Sequence, residues 1–409
     1  MVQGCTSRQA RRVHRSLWLI LLACLTACAA APADPSGAPS SSGQERASEI
    51  PSASASAAPE RPLPNLVPPA GTAWFGMNLD WANDSVGAVS ERLGATPSVW
   101  VQFASFPLDR TQRANLDVFV EQVAAVDGIA LLTLEPHGGL ETVTPEAAAE
   151  LAEVLNGYWV GSGVPTIVRF AHEMNGSWYP WAQQPAAYVA AFRIVADAIH
   201  AGAPASAMAW APNEGSGYPF SGGEFASDDD ALDTNGDGAI TNADDPYAPY
   251  WPGDDAVDWV GMSLYHWGLA YPWGENELPA DGTFRALLTG GITGAHDGQV
   301  EIPDFYATYA DGHDKPMGIF ETAALYNPAG DGPSEVDLKS AWWAQVTDES
   351  LRADFPRLAM INWFEWRKEE SEVGGVIDWR LSANADLAHA LLEQAPDGWL
   401  RFGGLSAAD

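Results

Sequence analysis

Cysteine is almost missing from this 409-residue chain: its three copies, Cys5, Cys24 and Cys28, all fall in the first 28 positions. The remainder therefore holds no disulfide, no thiolate nucleophile and no cysteine-ligated metal. Basic residues are scarce too. Arg8, Arg11, Arg12 and Arg15 account for four of the 20 lysines and arginines, which leaves sixteen facing 54 acidic residues in the rest. A formal net charge of −34 repels nucleic acid and anionic headgroups, so the expected partner is neutral. No glycine-rich phosphate loop follows the first apolar strand, which disfavours a doubly wound nucleotide-binding fold. No short-period repeat is present.

Tryptophan, by contrast, is abundant, with 18 copies. A packed core rarely needs so many, whereas the apolar face of a sugar ring stacks well on an indole. Hydrophobic residues make up 46% and charged residues 18%, as in a folded globule.

The N-terminus reads as an address. Arg8 to Arg15 form a positive region, Leu17 to Leu25 an apolar run too short for an ordinary membrane span, and Leu25-Thr26-Ala27-Cys28 closes it with small residues and a cysteine. That ending resembles a bacterial lipobox, which predicts a lipoprotein-type signal over 1–28 and lipidation of Cys28. The chain is then expected to be exported, as a cell-surface lipoprotein or a secreted protein, touching membrane only through that anchor. Residues 29–63, rich in Ala, Pro and Ser, are expected to form a flexible linker.

From residue 64 to 409 apolar runs alternate with helical patterns. Strands are predicted at Thr72–Leu79, Ser98–Phe103, Ile129–Leu134, Thr166–Ala171, Met208–Ala211, Val257–Leu264, Met317–Phe320 and Leu358–Trp363. Helices are predicted at Ser85–Leu93, Gln112–Val126, Pro145–Tyr158, Pro185–Ala201, Leu338–Thr347 and Ala383–Gln394. Eight strands separated by helices predict an α/β fold of the (β/α)8 TIM-barrel type, with a doubly wound sheet as the alternative.

In such a barrel the chemistry sits where strands end. Strand four ends in His172-Glu173-Met174-Asn175-Gly176-Ser177-Trp178-Tyr179-Pro180-Trp181, a charged pair followed by aromatics. Strand seven ends in Glu321. These two strand ends face each other across a barrel mouth, and glycoside cleavage needs two carboxyl groups, one to protonate the leaving oxygen and one to attack or to activate water.

The segment Arg169-Phe170-Ala171-His172-Glu173-Met174-Asn175-Gly176-Ser177-Trp178-Tyr179-Pro180-Trp181 resembles the acid/base segment of glycoside hydrolase family 26, which includes β-mannanases, lichenases and some β-1,3-xylanases. Lys315-Pro316-Met317-Gly318-Ile319-Phe320-Glu321-Thr322 resembles its nucleophile strand, and Tyr250 to Gly261 its approach to strand six. The resemblance spans about residues 70 to 395. It implies retaining double displacement on β-1,4-mannan or a related neutral β-linked polysaccharide, with Glu321 as nucleophile and Glu173 as acid/base, and no catalytic cofactor. It further implies carboxyl groups about 5 to 5.5 Å apart and a raised pKa for Glu173.

Tyr265 matches the family tyrosine that orients the nucleophile. His137, Arg169, His172, Trp178, Trp181, Trp267 and Trp363 are the expected substrate-binding residues, with Trp363 as the platform at the end of strand eight and Trp366 a further stacking candidate. Arg169 is expected to tie down one of the two glutamates. Glu135 is expected to be structural, and Glu365 to be held by Arg367 or Lys368. One departure stands out: mannan-active members usually carry Asp two residues before the tyrosine, where this chain has Ser263. That keeps mixed-linkage glucan, β-1,3-xylan and exopolysaccharide open as substrates, along with a non-catalytic carbohydrate-binding lipoprotein.

Between strands five and six, residues 233–244 fit a twelve-residue calcium loop. Asp233, Asn235, Asp237 and Asp244 stand at positions 1, 3, 5 and 12, Gly238 at 6, and Ala239 offers its carbonyl at 7. A structural Ca2+ in an insertion over 231–245 is the expectation, in a chain acting as a monomer.

Overall fold

A strand buried on both faces needs a nearly continuous apolar run rather than alternation, and the barrel strands here are of that kind. The computed structural model describes residues 61–291 and 302–405. The expected signal, Cys28 and all but the last three residues of the linker lie outside the described residues.

In chain order the elements are β1 (Ala73–Leu79), α1 (Val86–Leu93), β2 (Val99–Ser105), α2 (Arg110–Ala124), β3 (Ile129–Glu135), α3 (Pro145–Ser162), β4 (Thr166–Phe170), α4 (Pro185–Gly202), β5 (Ser206–Trp210), β6 (Trp259–Ser263), α5 (Thr283–Leu288), β7 (Met317–Thr322), α6 (Glu335–Val346), α7 (Glu349–Asp354), β8 (Leu358–Glu365), β9 (Arg367–Glu370), β10 (Gly375–Asp378), α8 (Ala385–Gln394) and β11 (Leu400–Arg401). Strands β1 to β8 pair in parallel in sequence order, and β8 pairs back onto β1 from Trp74↔Met360 to Leu79↔Glu365. That closure makes a (β/α)8 barrel.

Helix starts follow local chemistry. The Ser85 hydroxyl accepts from Ala88 N, Thr144 Oγ1 from Ala147 N ahead of Pro145, and Asn384 Oδ1 from Leu387 N. Helices α1 and α3 stop at Gly94 and Gly163, both left-handed.

Two stretches depart from simple strand–helix alternation. Between β5 and β6, where the insertion over 231–245 is expected, the chain makes a long excursion with only three single turns of 3-10 helix and no α-helix. After β8 the chain forms a β9–β10 hairpin before its helix.

Inside the barrel, alternate residues of each strand make a floor that includes Trp74, Val99, Val101, Ile167, Ala209, Trp259, Phe320 and Met360. Trp74 and Trp259 stack there with ring centroids 6.1 Å apart. This alternation decides which side chains reach the mouth. It carries Arg169 inward one step above Ile167, and Asn362 and Phe364 inward above Met360.

Candidate active site

Glutamates 173 and 321 reach the same cleft by two different departures from regular strand geometry. At the end of β4 the chain passes through Ala171 (φ 45°) and Glu173 (φ 54°), both in the left-handed region that non-glycine residues avoid. Tertiary contacts hold them there. Glu173 N donates to Ala211 O at 2.8 Å, and Asn175 exchanges two 2.8 Å bonds with the backbone of Asn213. On β7 the device is a bulge. Ile319 pairs with Ile361 and Thr322 with Trp363, so three steps on β7 face two on β8. Phe320 points into the barrel floor, and Thr322 points out to accept from Trp342 Nε1 at 2.9 Å. The extra residue turns Glu321 toward the mouth, a common use of bulges beside active sites.

The cleft has a volume of about 1600 Å3, and both glutamates line it. Their surroundings treat them differently. Glu321, 5% exposed, accepts an N–H from the Arg169 guanidinium and the hydroxyl proton of Tyr265. Arg169 is fully buried and lies with its guanidinium carbon 5.6 Å from the Phe103 ring centre. Glu173, 9% exposed, accepts from Trp178 Nε1 at 2.8 Å. Burial first, and then the negative charge of Glu321, push its carboxyl up to about 7. His172 is buried between Phe103, Tyr179 and Trp181, and burial followed by the Arg169 charge lowers its pKa, so its imidazole stays neutral. One carboxyl fixed by two donors and one kept protonated near neutrality are what acid-assisted nucleophilic displacement requires.

No family model matches the chain. Among solved structures it is similar to a double mutant of the endo-β-1,4-mannanase of Cellulomonas fimi, at 17% identity and TM-score 0.52, covering 83% of this chain and 74% of that one. It is also similar to the catalytic domain of a family 26 endo-β-1,4-mannanase from a Bacillus species, at 18% identity and TM-score 0.50, covering 81% and 87%. The likeness is one of fold: the chain shares the (β/α)8 barrel of these two enzymes. A curated relative, Endoglucanase H of Acetivibrio thermocellus, is 24% identical over 233 residues, which is 55% of this chain and 19% of that protein. The chain thus spans about a fifth of the length of that relative.

Of the residues expected in the family 26-like site, Glu173, Glu321, His172, Trp178, Tyr265 and Trp267 line the cleft. Arg169 lies beneath it, bonded to Glu321. Four expectations need correction. Trp363 is not a platform: it sits on the outward face of β8, fully buried, with its ring 5.9 Å from Trp343 of α6 and its Nε1 donating to Trp379 O. Alternation puts Phe364 and Trp366 on the cleft instead. Trp181 is also fully buried; it stacks 4.4 Å behind Tyr179 and donates to His172 O, so Tyr179 is the ring that faces substrate space. His137 stands off the cleft wall with its side chain half exposed and Nε2 3.3 Å from Glu135. Glu365 has different partners from those expected: it accepts from Leu381 N and from the backbone and hydroxyl of Ser382.

Sequence patterns missed Trp81, Trp273, Trp379 and Glu214 on the cleft wall. Trp379 was hidden because the β9–β10 hairpin that returns it to the mouth has no strong periodic signal.

The acidic loop folds around its own amides. Asp233 accepts from Asp237 N at 3.1 Å and Gly238 N at 2.8 Å, Asp237 accepts from Ala239 N, and Asp244 accepts from Asn235 N and Thr241 N. Gly236 and Gly238 have φ of 71° and 91°, which the turn demands. The oxygen donors suit a hard cation. Among the described residues, however, no three His, Cys, Asp or Glu side chains converge closely enough to hold a metal ion, so Asp233, Asp237 and Asp244 stand apart.

Proposed function

We propose that this chain is a retaining glycoside hydrolase that cleaves a neutral β-linked polysaccharide, with β-1,4-mannan as the first candidate. The observation that carries the reading is the contrast between two carboxyl groups in one cleft. Glu321 is aimed by Arg169 and Tyr265, and Glu173 is pushed up to about 7 beside it. Glu321 attacks the anomeric carbon while Glu173 protonates the departing oxygen. A glycosyl-enzyme forms, and Glu173, now a carboxylate, draws a proton from the water that resolves it. Aromatic walls from Trp178, Trp267 and Trp366 suit the apolar faces of successive sugar rings.

A second substrate is favoured by Ser263, which stands where mannan-active members carry Asp, and by the likeness to a protein named as an endoglucanase. A β-glucan is therefore the runner-up. Incubation with galactomannan, lichenan and xylan, with reducing ends measured, decides between them. Proton NMR of the first anomer released tests retention: an inverted product rules out the nucleophile assigned here. A chain that binds these glycans and cleaves none is a carbohydrate-binding protein.

We also propose export with a lipid on Cys28, supported by the Leu25-Thr26-Ala27-Cys28 ending, and a monomeric chain with no catalytic cofactor. A structural Ca2+ in the 233–244 loop is supported by its oxygen spacing and would draw the three aspartates together. Excess EDTA then lowers the melting temperature; no change in Tm removes the ion. A mature N-terminus other than a modified Cys28, seen by mass spectrometry, removes the anchor.

A further inference from the structure

Among the cleft glutamates that the two-carboxylate chemistry leaves unused, Glu214 is bonded to the turn beside the reaction centre. Glu214 lies four residues beyond β5 and lines the cleft; Gly217 of the same turn lies against Phe220, whose ring centre is 5.3 Å from that of Trp178. Its backbone is tied to the reaction centre from one side, since Glu214 N donates to Ser263 O at 3.1 Å and Ser263 is paired with Glu321. The preceding residue, Asn213, is locked to Asn175, two positions after Glu173. The Glu214 side chain is fixed as well. Oε1 accepts from Ser216 N and Oε2 from Ser216 Oγ, each at 2.7 Å. Behind it the turn is pinned by Tyr247, whose hydroxyl accepts from Gly215 N at 2.8 Å, and Gly215 has no room for a Cβ beside Pro246 and Tyr247.

Each carboxyl oxygen has a single partner on Ser216, so the group, ionised or protonated, keeps hydrogen-bonding capacity where it borders the cleft. Two adjacent sugar hydroxyls match its two fixed oxygens in the same way that a forked donor matches a carboxylate. The side of the cleft follows from the chemistry: the general acid stands next to the leaving oxygen, and the Glu214 turn is connected through Gly217 and Phe220 to Trp178, which is bonded to that acid.

Resting on the proposed glycosidase reading, we propose that Glu214 is a substrate-binding residue of the leaving-group subsite, which grips a hydroxyl pair of the sugar on the departing side of the scissile bond. It takes no part in proton transfer or attack. Burial raises its carboxyl to about 7.

The test compares two substrates in the wild type, Glu214→Gln and Glu214→Ala. One is a polymer, galactomannan or lichenan, whichever the wild type cleaves. The other is 2,4-dinitrophenyl β-mannobioside or β-cellobioside, whose leaving group has no sugar hydroxyls. The expected result is a loss of about 30- to 100-fold in kcat/KM on the polymer, mostly in KM, with less than about twofold change on the aryl glycoside. Glu214→Gln, which retains one acceptor oxygen and the turn, should fall between. Equal losses on both substrates, or none on the polymer, overturn the subsite assignment while leaving the glycosidase reading intact. A wild type that cleaves neither substrate overturns both.

Discussion

Glu173 illustrates how surroundings fit a side chain to the acid role proposed for it, which its residue type alone does not carry. A glutamate in water is ionised at neutral pH and cannot protonate a leaving group. Here burial and the charge of Glu321 hold it near 7. Since the acid must be protonated, kcat/KM is expected to fall as pH rises through about 7. The indole N–H of Trp178 opposes that shift, because a donor favours the carboxylate. Trp178→Phe removes the donor but keeps a ring, so the alkaline limb should move to higher pH, by less than about one unit. A pH profile of kcat/KM for both proteins checks this, and a limb moving downward contradicts the assignment. Replacing the proposed nucleophile is blunter: Glu321→Gln should lower kcat by about 10^4-fold while glycan binding, measured by calorimetry, persists.

At the scale of elements, strand register separates what could be read in advance from what could not. The apolar runs of β1 to β8 were legible because a parallel barrel strand is covered on both faces. So were the capped helices such as α3, with Thr144 and Pro145 at its start. The carboxyl at the end of β7 was legible as a residue but not as a direction, since strict alternation with Phe320 turns Glu321 away from the mouth and only the bulge restores it. The same parity error made Trp363 a platform. Nothing in the order Trp363-Phe364-Glu365-Trp366 says which member faces inward; that follows from Met360 lying on the barrel floor. The excursion from β5 to β6 was the least legible, because its fold depends on side chains such as Tyr247 that meet their partners only in three dimensions. The β8 correction makes a paired prediction. Trp363→Ala empties a packed site against α6 and should cost about 3–5 kcal/mol in denaturant unfolding, with KM unchanged. Trp366→Ala, with its ring on the cleft, should raise KM several-fold at a smaller stability cost. Reversed outcomes would restore Trp363 as the platform.

For the whole molecule, the same buried carboxyls that suit catalysis shape the dependence of stability on pH. Burial raises Glu173 and Glu214 to about 7, and it also raises Glu135, Glu365 and Glu370 above the ordinary value of 4.5. A group whose folded pKa exceeds its unfolded one stabilises the fold most below the unfolded value and loses that contribution as pH rises through the folded one. For Glu173 the difference between 4.5 and about 7 corresponds to roughly 3 kcal/mol. On the acid side, burial of Asp378 is outweighed by the Arg380 guanidinium and the Lys339 charge together, so its pKa is depressed and its contribution is lost as pH falls below about 4. The net charge of −34 adds self-repulsion that grows as carboxyls ionise. Stability should therefore peak near pH 4 to 5, while Glu173, the proposed acid, stays protonated up to about 7. Glu173→Gln removes one ionisation without emptying the site. Its melting temperature should match the wild type at pH 4.5 and exceed it at pH 8 by about 3 to 6 °C, a gain that circular dichroism at the two pH values can resolve. An equal gain at both pH values would mean that the substitution improves packing and that the buried carboxyl does not carry the cost assigned to it here.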